Sequence, residues 1–233
     1  MSVPVWVVGD WVTGRPLYEM PNVGPGSQFS ADLQGSSATL ELNPGDPGHR
    51  RLRGELRADM TRYVAALGST EAQPLVALAG GPILAHEATP DEWRWQIGGP
   101  DAYPARRLLI AAADVQPTIG TTQPVYTLTG TWRQIVNQAL ALLPRAGRQM
   151  PPMAVTVGEL AGGGSHEVTV EAVDLVTLAD LLREISTRAD GVETRCLPWW
   201  QGTSLEDGFL RVEIGVGQDD DRYVACPPRI PIT

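Results

Sequence analysis

The sequence predicts a mainly β protein of the α+β class, built as two small antiparallel β-barrel or sandwich domains with helices packed on them. About ten short segments have the apolar or alternating pattern of strands, and only three have the apolar spacing of helices. The helices do not alternate regularly with strands, as they would in a doubly wound parallel sheet. Gly 25 and Pro 20 in 233 residues indicate many turns between these strands.

The first half of the chain is predicted to be rich in strands, with one helix. Residues 14–26 contain three prolines and three glycines and are expected to form a loop. Residues 54–67 are predicted to form a helix, because four apolar residues fall on one helical face before Gly68. The expected strands are 3–8, 28–33, 37–42, 75–79, 83–87, 93–97 and 105–112.

The second half is predicted to contain two capped helices among strands. Thr131 precedes Gln134, and Thr177 precedes Asp180, by the three-residue spacing of a capping box. An apolar helical face follows each of these threonines. The expected strands are 125–128, 167–173, 192–197 and 209–214.

A domain boundary is predicted near residues 113–122, where the apolar pattern fades. This boundary divides the chain into a first domain, 1–116, and a second domain, 117–233. The end of the chain is rich in proline at 227–231, and the second domain could continue beyond residue 233.

Composition excludes several classes of function. The formal net charge is -9 and all 18 basic residues are arginine, with no more than two in a row, which argues against a nucleic-acid surface. No stretch approaches the roughly 20 apolar residues that a membrane-spanning helix needs. The two cysteines, Cys196 and Cys226, have neither metal-binding nor redox spacing and are expected to be reduced thiols, with a disulfide as the less favoured alternative.

No motif predicts a catalytic, cofactor-binding or metal-binding residue. His86 and His166 each precede a glutamate, but neighbouring residues on a strand point to opposite faces and cannot share one metal. Three consecutive aspartates at 219–221 diverge, whereas calcium loops place their acids at alternate positions. A phosphate-binding loop needs a Gly-Lys pair, and the chain contains no lysine.

Seven tryptophans are many for this length, and four of them are candidate interface residues. These four are Trp93, Trp95, Trp199 and Trp200. Aromatic side chains are enriched both in cores and at interfaces, so burial within the chain is the competing interpretation, and stacking on sugars is a further alternative.

The order of several segments carries a family resemblance. The opening VWVVGDWVTGRPLYEMP leads to GSQFSADLQGSSATLELN, and the two capped helices are followed by VETRCLPWW. Together with the predicted helix at 54–67 and the aromatic stretch at 93–97, this order resembles the hub-type minor tail proteins of long-tailed bacteriophages, the siphoviruses. In that family a first strand and a long loop lead to a phrase of the form F-x-A-x-L, and a second barrel follows.

The resemblance implies a structural protein without enzymatic activity. It would form a homo-oligomeric ring, expected to be a trimer, at the distal end of the virion tail after synthesis in the host cytoplasm. There it would join the tail tube or distal tail ring, and the tape measure protein, to the tip proteins that contact the host. The arginine-only composition suits a phage of actinobacteria.

Two other functions remain open at this point. One is a distal tail ring protein, which commonly forms hexamers. The other is a glycan-binding or cell-wall hydrolase module of a tail tip. A related injection system would use a hub of similar architecture.

Overall fold

The structure is a computed structural model that describes residues 4–20, 23–32, 35–56, 61–71, 73–109, 124–143, 151–157 and 164–217. Seven strands of the first half form one antiparallel sheet in the order β2-β1-β5-β6-β7-β4-β3. The strands are β1 (Val5–Asp10), β2 (Pro16–Met20), β3 (Gln28–Asp32), β4 (Gly35–Leu42), β5 (Arg62–Gly68), β6 (Val76–Ala88) and β7 (Trp93–Ile97).

The second half contributes two smaller sheets. Strands β8 (Val125–Gly130) and β10 (His166–Glu171) form an antiparallel pair. Strands β9 (Met153–Val157), β11 (Thr194–Gln201) and β12 (Phe209–Val216) form a three-stranded sheet in the order β11-β12-β9. Within that sheet β9 runs parallel to β12, whereas β11 is antiparallel to it.

The described residues contain three α-helices beside these sheets: α1 (Pro47–Leu52), α2 (Trp132–Leu142) and α3 (Leu178–Thr187). Helices α2 and α3 begin at complete capping boxes, with Thr131 bonded to Gln134 and Thr177 bonded to Asp180. Each box satisfies two N–H groups that a helix start would otherwise leave unpaired. Both predicted caps are therefore confirmed.

The middle of the large sheet is buried on both faces, between two apolar clusters. Along β5, Tyr63, Ala65 and Leu67 belong to the larger cluster, whereas Val64 and Ala66 belong to the smaller one. Alternate side chains of a strand point to opposite faces, so β5 supplies both cores at once. The smaller cluster consists of first-half residues, and the larger cluster also contains the buried residues of α2, α3 and β12.

Strand β6 links two parts of the large sheet. Its first part pairs with β5 as far as Pro82, and its second part pairs with β7 from Ile83 onward. A β-carbon on Gly81 would lie 2.1 Å from the carbonyl oxygen of Gly98, so only glycine fits where the partner changes. The strand therefore continues through Gly80-Gly81-Pro82, where the sequence had predicted a break between two strands.

The two halves of the chain are joined by backbone hydrogen bonds. Leu210 N–H donates to the carbonyl oxygen of Gly14 at 2.7 Å, and Leu178 N–H donates to that of Arg107 at 2.9 Å. The predicted boundary at 113–122 lies outside the described residues, and the division into two domains remains a prediction.

The prediction of a mainly β fold with antiparallel sheets is confirmed. Among the described residues no sheet closes into a barrel, since β2 and β3 are both edges of the large sheet. The helix predicted over 54–67 is wrong throughout its described residues, because 54–56 lie in a turn after α1 and β5 begins at Arg62; residues 57–60 lie outside the described part.

Two further sequence predictions are wrong. The predicted loop at 14–26 contains the edge strand β2. The strand predicted over 105–112 is replaced, as far as residue 109, by a 3-10 turn at Pro104–Arg106 and a single bridge from Leu108 to Thr177. Residues 110–112 lie outside the described ranges.

Candidate functional site

Of the four tryptophans predicted at an interface, two lie in the smaller core. Trp93 and Trp95 alternate on β7 with exposed residues, and both point inward. Their rings meet edge to face at 6.3 Å, and the Trp95 indole N–H donates to the carbonyl oxygen of Leu56 at 3.0 Å. These side chains stabilise the chain itself.

Trp200 is also buried, whereas Trp199 is partly exposed. Trp200 belongs to the larger core, and a β-carbon on Gly208 would come within 2.4 Å of its ring. Trp199 lies on the opposite face of β11, where the Arg211 guanidinium is 5.8 Å from its ring centroid. Arg211 is in turn paired with Glu213 at 2.8 Å. Among the four candidates, only Trp199 is available to a partner in this structure.

An exposed apolar surface lies at one end of the β8–β10 pair. We call it the Leu175 patch; it consists of Val125, Val173 and Leu175, which are 55%, 60% and 59% exposed. Two backbone hydrogen bonds place their segments at the same end of the pair, since Ala172 N–H donates to the carbonyl oxygen of Pro124 and Leu175 N–H donates to that of Ala172. Exposed apolar side chains that lie at the same end of a strand pair are candidates for contact with a neighbouring subunit.

Leu175 is held in an unusual conformation. Its φ is 52°, in the left-handed region, and it is the single non-glycine residue with positive φ in the described part of the chain. A bulky side chain pays roughly 1–2 kcal/mol to occupy this region. The turn that imposes this φ leads directly into the capped start of α3, so the strained leucine is presented just before a rigid element.

A second candidate surface is a groove along the edge strand β2. The groove has a volume of about 290 Å³ and lies between β2 and the loop that joins β11 to β12. We call it the β2 groove; it is lined by Val7, Arg15, Pro16, Leu17, Tyr18, Glu19, Leu205 and Glu206. One side of β2 pairs with β1, and the other side is an edge of the sheet.

The β2 groove combines exposed apolar and charged side chains. Leu17 and Tyr18 are 44% and 45% exposed, and Arg15 and Glu19 flank them as exposed charges. The register against β1 passes from Val8–Tyr18 to Gly9–Pro16, so Leu17 is an extra residue that β1 does not pair. This segment can therefore contact a partner through both side chains and backbone.

His166 and His49 make contacts within the fold, and Cys196 is a partly buried thiol. The His166 ring stacks on Trp132 with centroids 4.0 Å apart, and its Nδ1 lies 3.0 Å from Asp190 Oδ2. His49 is buried and its Nδ1 accepts the N–H of Asn43. Cys196 is a free thiol whose pKa is raised to about 12 by burial and by the nearby Asp101 carboxylate.

Two carboxylates are held ionised by local hydrogen bonds. Bonds from the Thr177 hydroxyl and N–H lower the pKa of Asp180 in the α3 capping box. Bonds from the Ser204 hydroxyl and N–H likewise lower the pKa of Asp207, which organises the β11–β12 loop beside the β2 groove. Both groups serve turns and caps, as their residue types predict.

The described ranges offer neither a metal site nor a membrane-spanning helix. In them no three His, Cys, Asp or Glu side chains come close enough to hold a metal ion. No helix there is both long and apolar enough to cross a bilayer. The aspartates at 219–221, and Cys226, lie outside these ranges.

No protein-family model matches this chain, and no curated protein sequence matches it either.

Sequence reasoning missed both candidate surfaces. The loop predicted at 14–26 includes Arg15–Glu19 because that stretch is rich in proline and glycine, although Leu17-Tyr18 between opposite charges is a signal of an exposed apolar strand. Val173 and Leu175 flank Asp174 between a strand and a capped helix, and two large apolar residues in a predicted turn were the available signal.

Proposed function

We propose that this chain is a structural subunit of a phage tail tip, of the hub type. In this proposal it forms a three-fold ring that joins the tail tube or distal tail ring to the tip proteins that contact the host. The function is assembly rather than catalysis, and its determinants are surfaces that neighbouring subunits cover.

The Leu175 patch is the observation that carries the assembly part of the proposal. Three large apolar side chains lie more than half exposed at one end of the β8–β10 pair. Apolar surface that remains in water gives no stabilisation, whereas its burial against a neighbour yields roughly 25 cal/mol per Å². The strain at Leu175 is consistent with a contact residue, because strained positions persist where function selects them.

Trp199 is a second residue whose exposure supports a role in assembly. It lies on β11, an edge of the three-stranded sheet, with Arg211 over its ring. Pro198 on the same strand lacks an N–H, which disfavours addition of another strand at that edge. A partner there would contact the face that carries Trp199 rather than extend the sheet. The phage assignment itself rests on the sequence resemblance.

The test of the phage assignment is immunogold labelling of intact virions of the source phage with serum raised against this chain. Label at the distal tail end is expected, with pre-immune serum as the negative control and anti-capsid serum as the positive control. The epitopes are first checked on particles with partly disrupted tails. Absence of label on both preparations would contradict the proposal.

Stoichiometry separates the hub from the distal tail ring, which is the nearest alternative. The mass of the complex released from purified tails should correspond to three copies for a hub. Six copies would favour the ring instead. A zymogram on host cell wall addresses the hydrolase alternative, and a cleared band would contradict a purely structural role.

The Leu175 patch is tested separately by complementation. A phage that lacks this protein should be rescued by the wild-type chain but poorly by a Val173→Asn, Leu175→Asn double variant. Glu167→Gln, an exposed change on β10, serves as the matched control and should rescue fully. Full rescue by the double variant would show that the patch is not an assembly surface.

A further inference from the structure

We propose that three arginines at helix α1 of one copy contact the Leu175 patch and its acidic rim on the next copy of the chain. We call the arginines, which are Arg50, Arg51 and Arg53, the α1 basic surface. The acidic rim consists of Glu171 and Asp174. This contact rests on the proposed function, because it names the surface that covers the Leu175 patch when copies of the chain form a ring.

The arginines of the α1 basic surface are exposed and lack carboxylate partners among the described residues. Arg50 Nε donates to the carbonyl oxygen of Pro44 at 2.6 Å, and the Arg53 guanidinium lies 4.9 Å from the centroid of the Trp93 ring. By contrast, an ion pair to a carboxylate at 3.4 Å or less is made by Arg62, Arg94, Arg183, Arg188, Arg195 and Arg211. The α1 basic surface is therefore a local excess of positive charge in a chain of net charge -9.

Helix α1 is anchored on one side, so its arginines project from the other. His49 and Leu52 are buried and lie three residues apart, on one helical face. The acidic residues on either side of the arginines are engaged elsewhere. Asp46 accepts N–H bonds from the first turn of α1, and Glu55 pairs with Arg62 at 3.4 Å. The guanidinium groups thus remain available to a partner.

The rim of the Leu175 patch has the opposite charge. Glu171 lies directly opposite Val125 in the β8–β10 ladder, so the two side chains share a face. Asp174 lies between Val173 and Leu175 in the sequence. Both carboxylates are exposed, and neither forms an ion pair with a described residue. Apolar surface and unpaired negative charge therefore occur together at this end of the strand pair.

The two surfaces belong to different sides of the large sheet. Leu52 of α1 lies in the smaller core, as does Trp93, on which Arg53 rests. Leu128 and Val168 of the β8–β10 pair lie in the larger core, on the opposite face of β5. A ring of identical copies needs two different surfaces on each copy, because its contacts are head to tail. The placement of these surfaces meets that requirement.

A second copy of the chain is the partner that these surfaces fit. Two chains of net charge -9 repel each other, so they are best brought together where the basic surface of one meets an acidic surface of the other. The aliphatic parts of the arginine side chains, with the exposed Pro47, can cover the Leu175 patch while the guanidinium groups reach the carboxylates. One contact then buries the patch and pairs its rim.

Sedimentation equilibrium of the full chain, at concentrations up to about 1 mM, tests the proposal. We expect reversible self-association that weakens about tenfold or more in R50E/R51E and in E171R/D174R, because each variant brings like charges together. A chain with all four substitutions should recover most of the affinity. An equimolar mixture of the two double variants should recover it as well, because each supplies the charge that the other lacks.

Arg133→Glu and Glu167→Arg are the matched controls, since each reverses an exposed charge outside both surfaces. Both controls should associate as the wild-type chain does, and equal thermal unfolding midpoints would show that all variants are folded. A chain that remains monomeric at about 1 mM would overturn the proposal. Self-association that both double reversals leave unchanged would also overturn it, as would a mixture that associates no better than its separate components.

Different results reject this contact and the phage assignment. Self-association that ignores the four charges rejects the contact and leaves the tail-tip assignment standing, with its ring built on other surfaces. Absence of immunogold label on virions rejects the assignment even where charge reversal abolishes self-association.

A chemical cross-link provides an independent readout. An equimolar mixture of Arg51→Cys and Asp174→Cys chains, both in a Cys226→Ser background, should form a mixed dimer with a short bismaleimide. A purification tag on one of the chains identifies that dimer. Cys196 is only partly exposed and its raised pKa keeps it protonated, so it should compete poorly. Arg133→Cys mixed with Asp174→Cys is the control, and equal cross-linking of the two mixtures would contradict the contact.

Discussion

The hydroxyl of Tyr63 donates a hydrogen bond to the carbonyl oxygen of Gly14 at 2.9 Å, and Leu210 N–H donates to the same oxygen. One carbonyl thus joins the turn after β1, the start of β5 and the start of β12. These three segments come from both halves of the chain. The halves are therefore tied together by polar contacts as well as by the shared larger core.

Tyr63→Phe should lower the free energy of unfolding by about 1 kcal/mol at neutral pH, because a buried hydrogen bond is lost. Urea denaturation followed by far-UV circular dichroism measures this change. Tyr18→Phe is the control, since Tyr18 is exposed on the sheet edge. An effect of equal size in the control would contradict this account.

Tyr63 also predicts a loss of stability at high pH. Its pKa is raised by burial and by the nearby Asp10 carboxylate, so the unfolded chain releases this proton at lower pH than the folded chain. The contribution is complete below the ordinary tyrosine pKa of about 10 and is lost as pH rises above it. Tyr63→Phe should flatten the fall in unfolding free energy between about pH 9 and pH 11. Parallel curves for the two proteins would refute this.

Gly14→Ala should destabilise the chain by about 2 kcal/mol. Gly14 has φ 69°, and a β-carbon there would lie 2.0 Å from the Leu210 carbonyl oxygen. Gly54→Ala is the matched control, because a β-carbon on Gly54 meets nothing within 4 Å. Differential scanning calorimetry of both variants gives the comparison. Similar midpoints for the two would argue against the close approach of β12 to this turn.

Replacing the two adjacent tryptophans of β11 with alanine should affect different properties, stability for Trp200 and assembly for Trp199. Trp200→Ala removes a ring from the larger core and should cost about 3–5 kcal/mol of unfolding free energy. Trp199→Ala should cost less than about 1 kcal/mol and instead weaken assembly. Thermal unfolding and incorporation into tails are the two measurements. A strongly destabilised Trp199→Ala would assign Trp199 to the core as well.

Leu175→Asn should raise the unfolding free energy of the isolated chain by up to about 1 kcal/mol, because asparagine tolerates the left-handed conformation. Val173→Asn removes a similarly exposed apolar side chain without relieving strain and should leave stability nearly unchanged. Chemical denaturation of the two variants distinguishes strain from exposure. Equal effects would mean that the backbone at Leu175 is not strained.

The sequence predicts the features that depend on a few neighbouring residues, such as helix caps. It does not predict the features that depend on burial, such as a strand that lies between two cores. The two capping boxes lie within four residues each, so Thr131 and Thr177 sufficed to place the helix starts. Val64 and Leu67 matched a helical face only because all of Tyr63–Leu67 is apolar. That run is a strand between two cores, where the alternation that marks an ordinary strand disappears.

The candidate surfaces were hard to predict for a related reason. Residue type alone suggests an interface role for Trp93, Trp95 and Trp200. Whether a partner can reach a side chain depends on its exposure, which is set by tertiary packing. The register that leaves Leu17 unpaired is set by β1, and the positive φ at Leu175 is set by the turn before α3. Neither the register at Leu17 nor the positive φ at Leu175 can be predicted from the neighbouring residues in the sequence.

Strand β6 limits where residues can be inserted or deleted during evolution. Its residues Ala77 and Ile83 lie in different cores, and an inserted or deleted residue between them would move the side chains on one side of the change to the opposite face of the sheet. The segment should therefore tolerate substitutions of similar size but no change of length. The β11–β12 loop, which is mostly exposed, is where related chains can gain or lose residues, and with them the shape of the groove that Leu205 and Glu206 border.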